Sequence, residues 1–490
     1  MKKRLTKYTK FWKAYQKKEL APIYLMIFFF IASSTIFLKG AVFNPELNYF
    51  LHNYLDDRPF LVKIFDSERH RDGAYQGREF SYVIDYLDNH FLLAFFKSGI
   101  IIFYSVSHYA LVTAIVIFTY ILSKRYFGNK SKLNYILLSL LYLTSPPIFL
   151  GGGAFRSSKI LVSFFIAFLI FLLFKYTVEN QTKTKISILI GFSIFFMATS
   201  DLQGGFYALV FAAIALLNFL IFRSLKNFKL LTSIVVANIF YIIYFNYIGK
   251  FLINFFSGKP VWNLTYNSLL TSWWIDATYF IKSALSYVVY QFSYFWGNTT
   301  LPAGFLIIVI TLLIYFAALN PYTLFKANKN SKENKIKFLS FSVLLLILSS
   351  FVLLITMLHY SAMFIQPYMR LTYYNLPTIT LLFIFFTYTI ITFLNKWPRL
   401  NETFHIIAVV AIVFNVYHLP SFFNTIKQSP YLIDYTKSTP QLRDCIRDRS
   451  AAITSFSLPG HSYYTCDFLR AKLSGKKFKL DSQQRVIMME

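Results

Sequence analysis

The groups able to do acid–base chemistry are concentrated in one stretch, Phe65, Asp66, Ser67, Glu68, Arg69, His70, Arg71, Asp72, Gly73, Ala74, Tyr75, Gln76, Gly77, Arg78, Glu79, Phe80. Asp66, Glu68 and Asp72 lie among Arg69, Arg71 and Arg78, and neighbouring cations keep a carboxylate ionised, as a general base must be. Nine of the 21 acidic residues fall between 39 and 98. For Glu46, Asp85 and Asp88 the expectation is plain solvation on a loop and a surface helix.

Phosphate chemistry needs Arg or Lys at a helix end beside apolar surface. The run Gly151, Gly152, Gly153, Ala154, Phe155, Arg156, Ser157, Ser158, Lys159 offers backbone amides and two cations, without P-loop spacing. A flexible turn with Arg156 and Lys159 as interfacial anchors is the equal alternative. Arg370 follows a stretch that opens at His359 and holds no other full charge. It is a phosphate-ligand candidate, with a snorkelling side chain as the competing reading, and His359 is a weaker hydrogen-bonding candidate. Asp201 sits at a tight turn between two apolar runs, where an ionisable group is costly. It reads equally as a second catalytic acid and as a helix cap. Trp273 and Trp274 read as interface anchors beside Asp276.

The elements that must position these groups are membrane helices. With 490 residues, 56% apolar, 20% aromatic and 14% charged, the chain has too little polar surface for a soluble globular protein. Apolar runs fall near 21–38, 99–123, 133–150, 160–176, 186–200, 206–222, 230–249, 301–320, 338–358, 372–394 and 404–418. Eleven spans follow, or thirteen if Ala277 to Trp296 forms a re-entrant or interfacial pair. The net charge of +28 invites a nucleic-acid reading, but the basic residues lie in short clusters between apolar runs, which excludes it. Alternate short segments, from the eight basic residues before the first run to Lys396 and Arg399, carry 25 basic residues against four acidic ones. That pattern puts the N-terminus in the cytoplasm on a retained first helix, and the C-terminus outside. The outer segments are then a long first loop (39–98), an aromatic-rich third segment (250–300) and a small tail (419–490), the rest of 1–418 forming the transmembrane domain. From Tyr75 onward Phe80, Val83, Ile84, Leu87 and Phe91 recur at helical spacing opposite Arg78, Glu79, Tyr82, Asp85 and Asn89. This predicts an amphipathic helix on the membrane surface with its charged side toward a cavity.

A long first outer loop after one helix, carrying acids followed by an aromatic residue and Arg-Glu, resembles the GT-C superfamily of integral-membrane glycosyltransferases, in particular the protein mannosyltransferase and aminoarabinose transferase type. The matching positions are Asp66, Glu68, Tyr75, Arg78 and Glu79. Asp72, or Asp56 and Asp57 followed by Arg58, are rivals for the base. The resemblance implies an all-α polytopic bundle in a bacterial inner membrane. It also implies transfer of a sugar from a polyprenyl-phosphate carrier to a lipid, glycan or protein acceptor, with a first-loop Asp as base.

A polysaccharide polymerase or ligase is the alternative within the same chemistry, and would carry its large loop and key arginines later in the chain. A flippase or transporter is the alternative outside it, but ionisable groups are nearly absent from the apolar runs. No cluster has structural-metal spacing, which leaves Mg²⁺ or Mn²⁺ on the loop carboxylates as an open cofactor. Cys445 and Cys466 in the tail could form a disulfide in an oxidising compartment or remain two thiols.

Overall fold

The computed structural model describes residues 20–38, 41–42, 54–55, 57–67, 74–98, 105–154, 156–179, 184–263, 277–297, 300–319, 331–360 and 374–427, together with 433–434, 455–458, 461–465, 478–480 and 486–488. Glu68, Asp72, Trp273, Trp274, Asp276, Arg370, Cys445 and Cys466 lie outside the described residues, and so does the side chain of His359.

The chain is an integral-membrane helical bundle. Its helices are α1 (Ala21–Leu38), α2 (Phe60–Ile64), α3 (Glu79–Lys97), α4 (Val106–Arg125), α5 (Lys132–Thr144), α6 (Pro146–Gly151), α7 (Ser158–Val178), α8 (Thr184–Ala198), α9 (Leu202–Phe222) and α10 (Leu225–Ile243). A π-helical turn, Tyr244–Ile248, leads into α11 (Gly249–Ser257), followed by α12 (Ala277–Phe295), α13 (Leu301–Leu319), α14 (Lys332–Tyr360), α15 (Leu376–Lys396) and α16 (Asn401–Lys427). Among the described residues eight helical segments are long and apolar enough to cross a bilayer. α5, α8 and most of α13 form shorter apolar helices. Each of the eleven apolar runs overlaps a helix, but the run at 133–150 breaks at Ser145 into α5 and α6, and the run at 99–123 is described from residue 105 onward. The last one continues through Pro420 to Lys427, past the boundary at 418 that composition suggested, so the tail starts later.

α7 and α15 are the bundle's axis. Almost every residue of both is buried, and α15 packs against α4, α5, α7, α13 and α14. The peripheral helices expose Phe, Leu, Ile and Val outward, as bilayer-facing surfaces must. Short strand pairs are the only sheet among the described residues: Ala41–Val42 with Ile433–Asp434, Ala74–Tyr75 with Trp262–Asn263, and two hairpins in the tail.

The two ends of the bundle differ in chemistry. At one end the basic connections meet: Arg125 pairs with Glu179 at 3.4 Å, the Tyr176 hydroxyl donates to the Lys226 carbonyl, and Asn134 donates to Asn401 at 2.9 Å. Asn395 reaches the Phe127 and Gly128 carbonyls, and Lys396 reaches that of Ala317. At the other end of α7, about 24 Å away by helical rise, lies Lys159 with the acid-bearing loop.

Candidate functional site at the acid-bearing end

Asp201 organises this end. It is fully buried at the N-cap of α9, where its Oδ1 accepts from the Gln203 amide at 2.9 Å. Gly204 makes the turn possible, since a Cβ there would sit 1.9 Å from the Met197 carbonyl oxygen. The carboxylate pairs with Lys159, in the first turn of α7, and with Arg78 Nε at 3.0 Å. Burial pushes the Asp201 pKa upward, but the two cations outweigh it and hold the carboxyl well below the usual carboxylate range. The residue is therefore the helix cap that its position allowed and, in addition, the shared partner of two cations. A carboxylate held this firmly ionised between two cations is a poor proton acceptor.

Lys159 lies under the ring of Tyr374, its Nζ 4.8 Å from the ring centroid. That contact brings the start of α15 into the cluster, immediately after the segment that holds Arg370. Arg156 is close enough for its charge to act on Lys159. Arg78 and Lys159 thus share one Asp, with the charge of Arg156 acting on Lys159, which leaves an excess of positive charge. Gly151 and Gly152, before Arg156 and Lys159, are packed against α4. They lie in α6 and a 3₁₀ turn, where a Cβ on Gly151 would meet the His108 ring at 2.4 Å and one on Gly152 the Tyr109 hydroxyl at 2.4 Å. Their small size serves helix contact.

α3 is the amphipathic helix the spacing predicts. It starts at Glu79 rather than near Tyr75, because Tyr75 is in a strand and Gly77 has φ of +58°. Its polar side faces the protein: Glu79, Asp85, Asp88 and Asn89 are buried, whereas Leu87 and Phe91 are 45% and 50% exposed. Solvation of Asp85 and Asp88 is accordingly corrected. Asp85 accepts from the Ser157 amide at 2.9 Å, at the N-cap of α7. Asp88 accepts from the Ser107 amide and from the Ser105 and Ser107 hydroxyls, at the start of α4. Each acid satisfies amides that a helix N-terminus leaves without an internal partner, where the dipole also favours negative charge. Burial raises the Asp88 pKa to about 6 against those hydrogen bonds.

Glu79 stands beside Arg78 but faces another environment. Burial pushes its carboxyl up to about 7, and the Tyr75 and Tyr244 hydroxyls partly offset that cost. Tyr244 belongs to the π-turn after α10, a contact that no spacing in the sequence signals. Tyr75 is itself buried, its ring 5.0 Å from that of Phe245. Asp66 is buried and pairs with Arg58 at 2.8 Å. Among the described residues no group of three or more His, Cys, Asp or Glu could hold a metal ion.

Arg78, Lys159, Asp201 and, electrostatically, Arg156 are therefore brought together, with Glu79 and Tyr75 adjoining them, while Asp66 pairs with Arg58. Such an arrangement can hold an anion near buried carboxyl groups in a low-dielectric surrounding. No protein-family model matches the chain, and no curated protein matches it significantly.

Proposed function

We propose that the chain is a glycosyltransferase of the bacterial inner membrane that moves a sugar from a polyprenyl-phosphate carrier to a lipid, glycan or protein acceptor. The supporting observation is the inward polar face of α3, which brings Arg78 onto the same buried carboxylate as Lys159 at an end of an otherwise apolar bundle. Charge develops on the departing lipid phosphate in such a transfer, and fixed cations stabilise it. In this reading Arg78, Arg156, Lys159 and Arg370 serve the phosphate, Asp66 or Asp72 removes the acceptor proton, and Asp201 fixes the cations. The basic end faces the cytoplasm together with the N-terminus, eleven spans cross the bilayer, and the acid-bearing end and tail face outward.

The test is a transfer assay on purified protein in lipid with a panel of polyprenyl-phosphate sugars. Wild type is expected to transfer from at least one donor, and Asp66→Asn or Asp72→Asn to lose on the order of 10²- to 10⁴-fold, as loss of a general base does. Full activity in both variants removes these two as the base, and no transfer from any donor overturns the reading.

A further inference from the structure

The helical segment from Leu225 to Ser257 runs for 33 residues, about 50 Å at helical rise, whereas a bilayer's hydrocarbon core is about 30 Å thick. The surplus is set off by the π-turn Tyr244–Ile248, one of the few devices that redirect a helix without ending it. Before the turn, α10 presents Val236, Ile239, Phe240 and Ile243 outward, each 44–58% exposed. Within and after it, the outward apolar side chains are Tyr247, Phe251 and Phe255, between 65% and 72% exposed, with Asn254 exposed beside them. Phe251 and Phe255 are one turn apart and stack at 6.1 Å. The opposite side of α11 is anchored: Ile253 and Gly249 are buried, Gly249 lies against the Tyr75 hydroxyl, and the Phe256 ring stacks on Phe65 at 5.6 Å.

A helix with one side fixed on the protein and two phenylalanines outward needs an apolar medium on that side. Its outward surface is continuous with the bilayer-facing surface of α10, and the whole segment is too long to lie within one perpendicular crossing. Lys250, in its first turn, and the exposed Lys259 just beyond it are cations suited to lipid phosphates at that depth. We propose that α11 is an interfacial anchor, seated at the edge of the bilayer beside the acid-bearing end with Phe251 and Phe255 among the acyl chains. The occupant of this surface is lipid, and the inference stands whether or not the transferase reading does.

The test uses the full chain with Cys445 and Cys466 replaced by Ser and one cysteine introduced at Phe251, Phe255 or Lys259. Each variant carries a nitroxide label in nanodiscs of phosphatidylethanolamine and phosphatidylglycerol, and monodispersity on size exclusion certifies the fold. At 251 and 255 collision with molecular oxygen is expected to exceed collision with a water-soluble nickel chelate several-fold, and at 259 the order is expected to reverse. Dominance of the nickel chelate at 251 and 255 would mean that they face water. Exclusion of both reagents there would mean a protein partner or a second copy. Either result overturns the proposal.

Discussion

Asp201 neutralises two cations in surroundings that tolerate neither alone. Removing one partner of a buried ion pair costs about 3–5 kcal/mol, because the charge left behind is uncompensated. Asp201→Asn is therefore expected to lower the thermal midpoint far more than Asp66→Asn, whose partner Arg58 is 37% exposed, and differential scanning fluorimetry of the two variants in the same lipid checks the order. Glu79 gives a prediction of a different kind. Its folded pKa is raised, so wild-type stability is highest below the unfolded value near 4.5 and falls as pH rises to about 7, where the penalty reaches on the order of 3 kcal/mol. Glu79→Gln is expected to match wild type near pH 4.5 and to exceed it increasingly up to pH 7. A gap between their melting curves that stays constant with pH would contradict this. That Asp201 mattered could be read from its sequence, since an acid between two apolar runs is costly anywhere. Its partners could not, because residues 78, 159 and 201 meet only through three separate helix ends.

Helix α3 is held by its carboxylates as well as by apolar contact through Tyr82, Leu92 and Leu93. Asp85 and Asp88 each reach the N-terminal amides of a neighbouring helix, a role usually filled by a side chain of the helix itself. Loss of a cap costs about 1 kcal/mol. Asp85→Ala and Asp88→Ala are thus each expected to raise hydrogen exchange in α3 and in the first turn of the helix it caps, α7 or α4, while the far end of α7 keeps its protection. Exchange followed by mass spectrometry reads both regions. The helix itself was visible as a repeat of Phe80, Ile84, Leu87 and Phe91. Its polar side was misjudged for Asp85 and Asp88, because periodicity separates two faces without saying which medium each one meets. Gly204 is a second element-scale point: Gly204→Ala forces a methyl into the Met197 carbonyl and is expected to destabilise the α8–α9 turn by about 1–3 kcal/mol, seen as a lower midpoint with loss of the Asp201 cap.

Over the whole molecule, the clustering of basic residues at alternate connections and their meeting at one end are two views of one constraint, the cost of carrying Lys and Arg across a bilayer. A single cysteine at Arg399 and another at Ser98, each in a chain with Cys445 and Cys466 replaced, are expected to label from opposite sides in intact cells. Only the one at 98 should react with an impermeant maleimide before permeabilisation. Equal labelling would contradict the proposed orientation. The apolar runs were legible as helices because hydrophobicity marks them, but the break at Ser145 within 133–150 was not. Nor was the π-turn, a local helical choice within an apolar run, or the extension to Lys427, which passes Pro420, Ser421, Asn424 and Thr425 where composition no longer marks a span.

Arg78, just before α3, and Asp85 on it emerge from the ribosome well before the groups that satisfy them, Asp201 and the Ser157 amide. Asp201 follows Arg78 by about 120 residues, which at 5–20 residues per second is roughly 6–25 s of synthesis. For that interval the guanidinium must remain hydrated, and the Asp85 carboxylate for the shorter one until Ser157 is made. The first loop is thus made first and finished late. Its charge density, costly to bury in the end, is what keeps the nascent segment out of the lipid until its partners arrive.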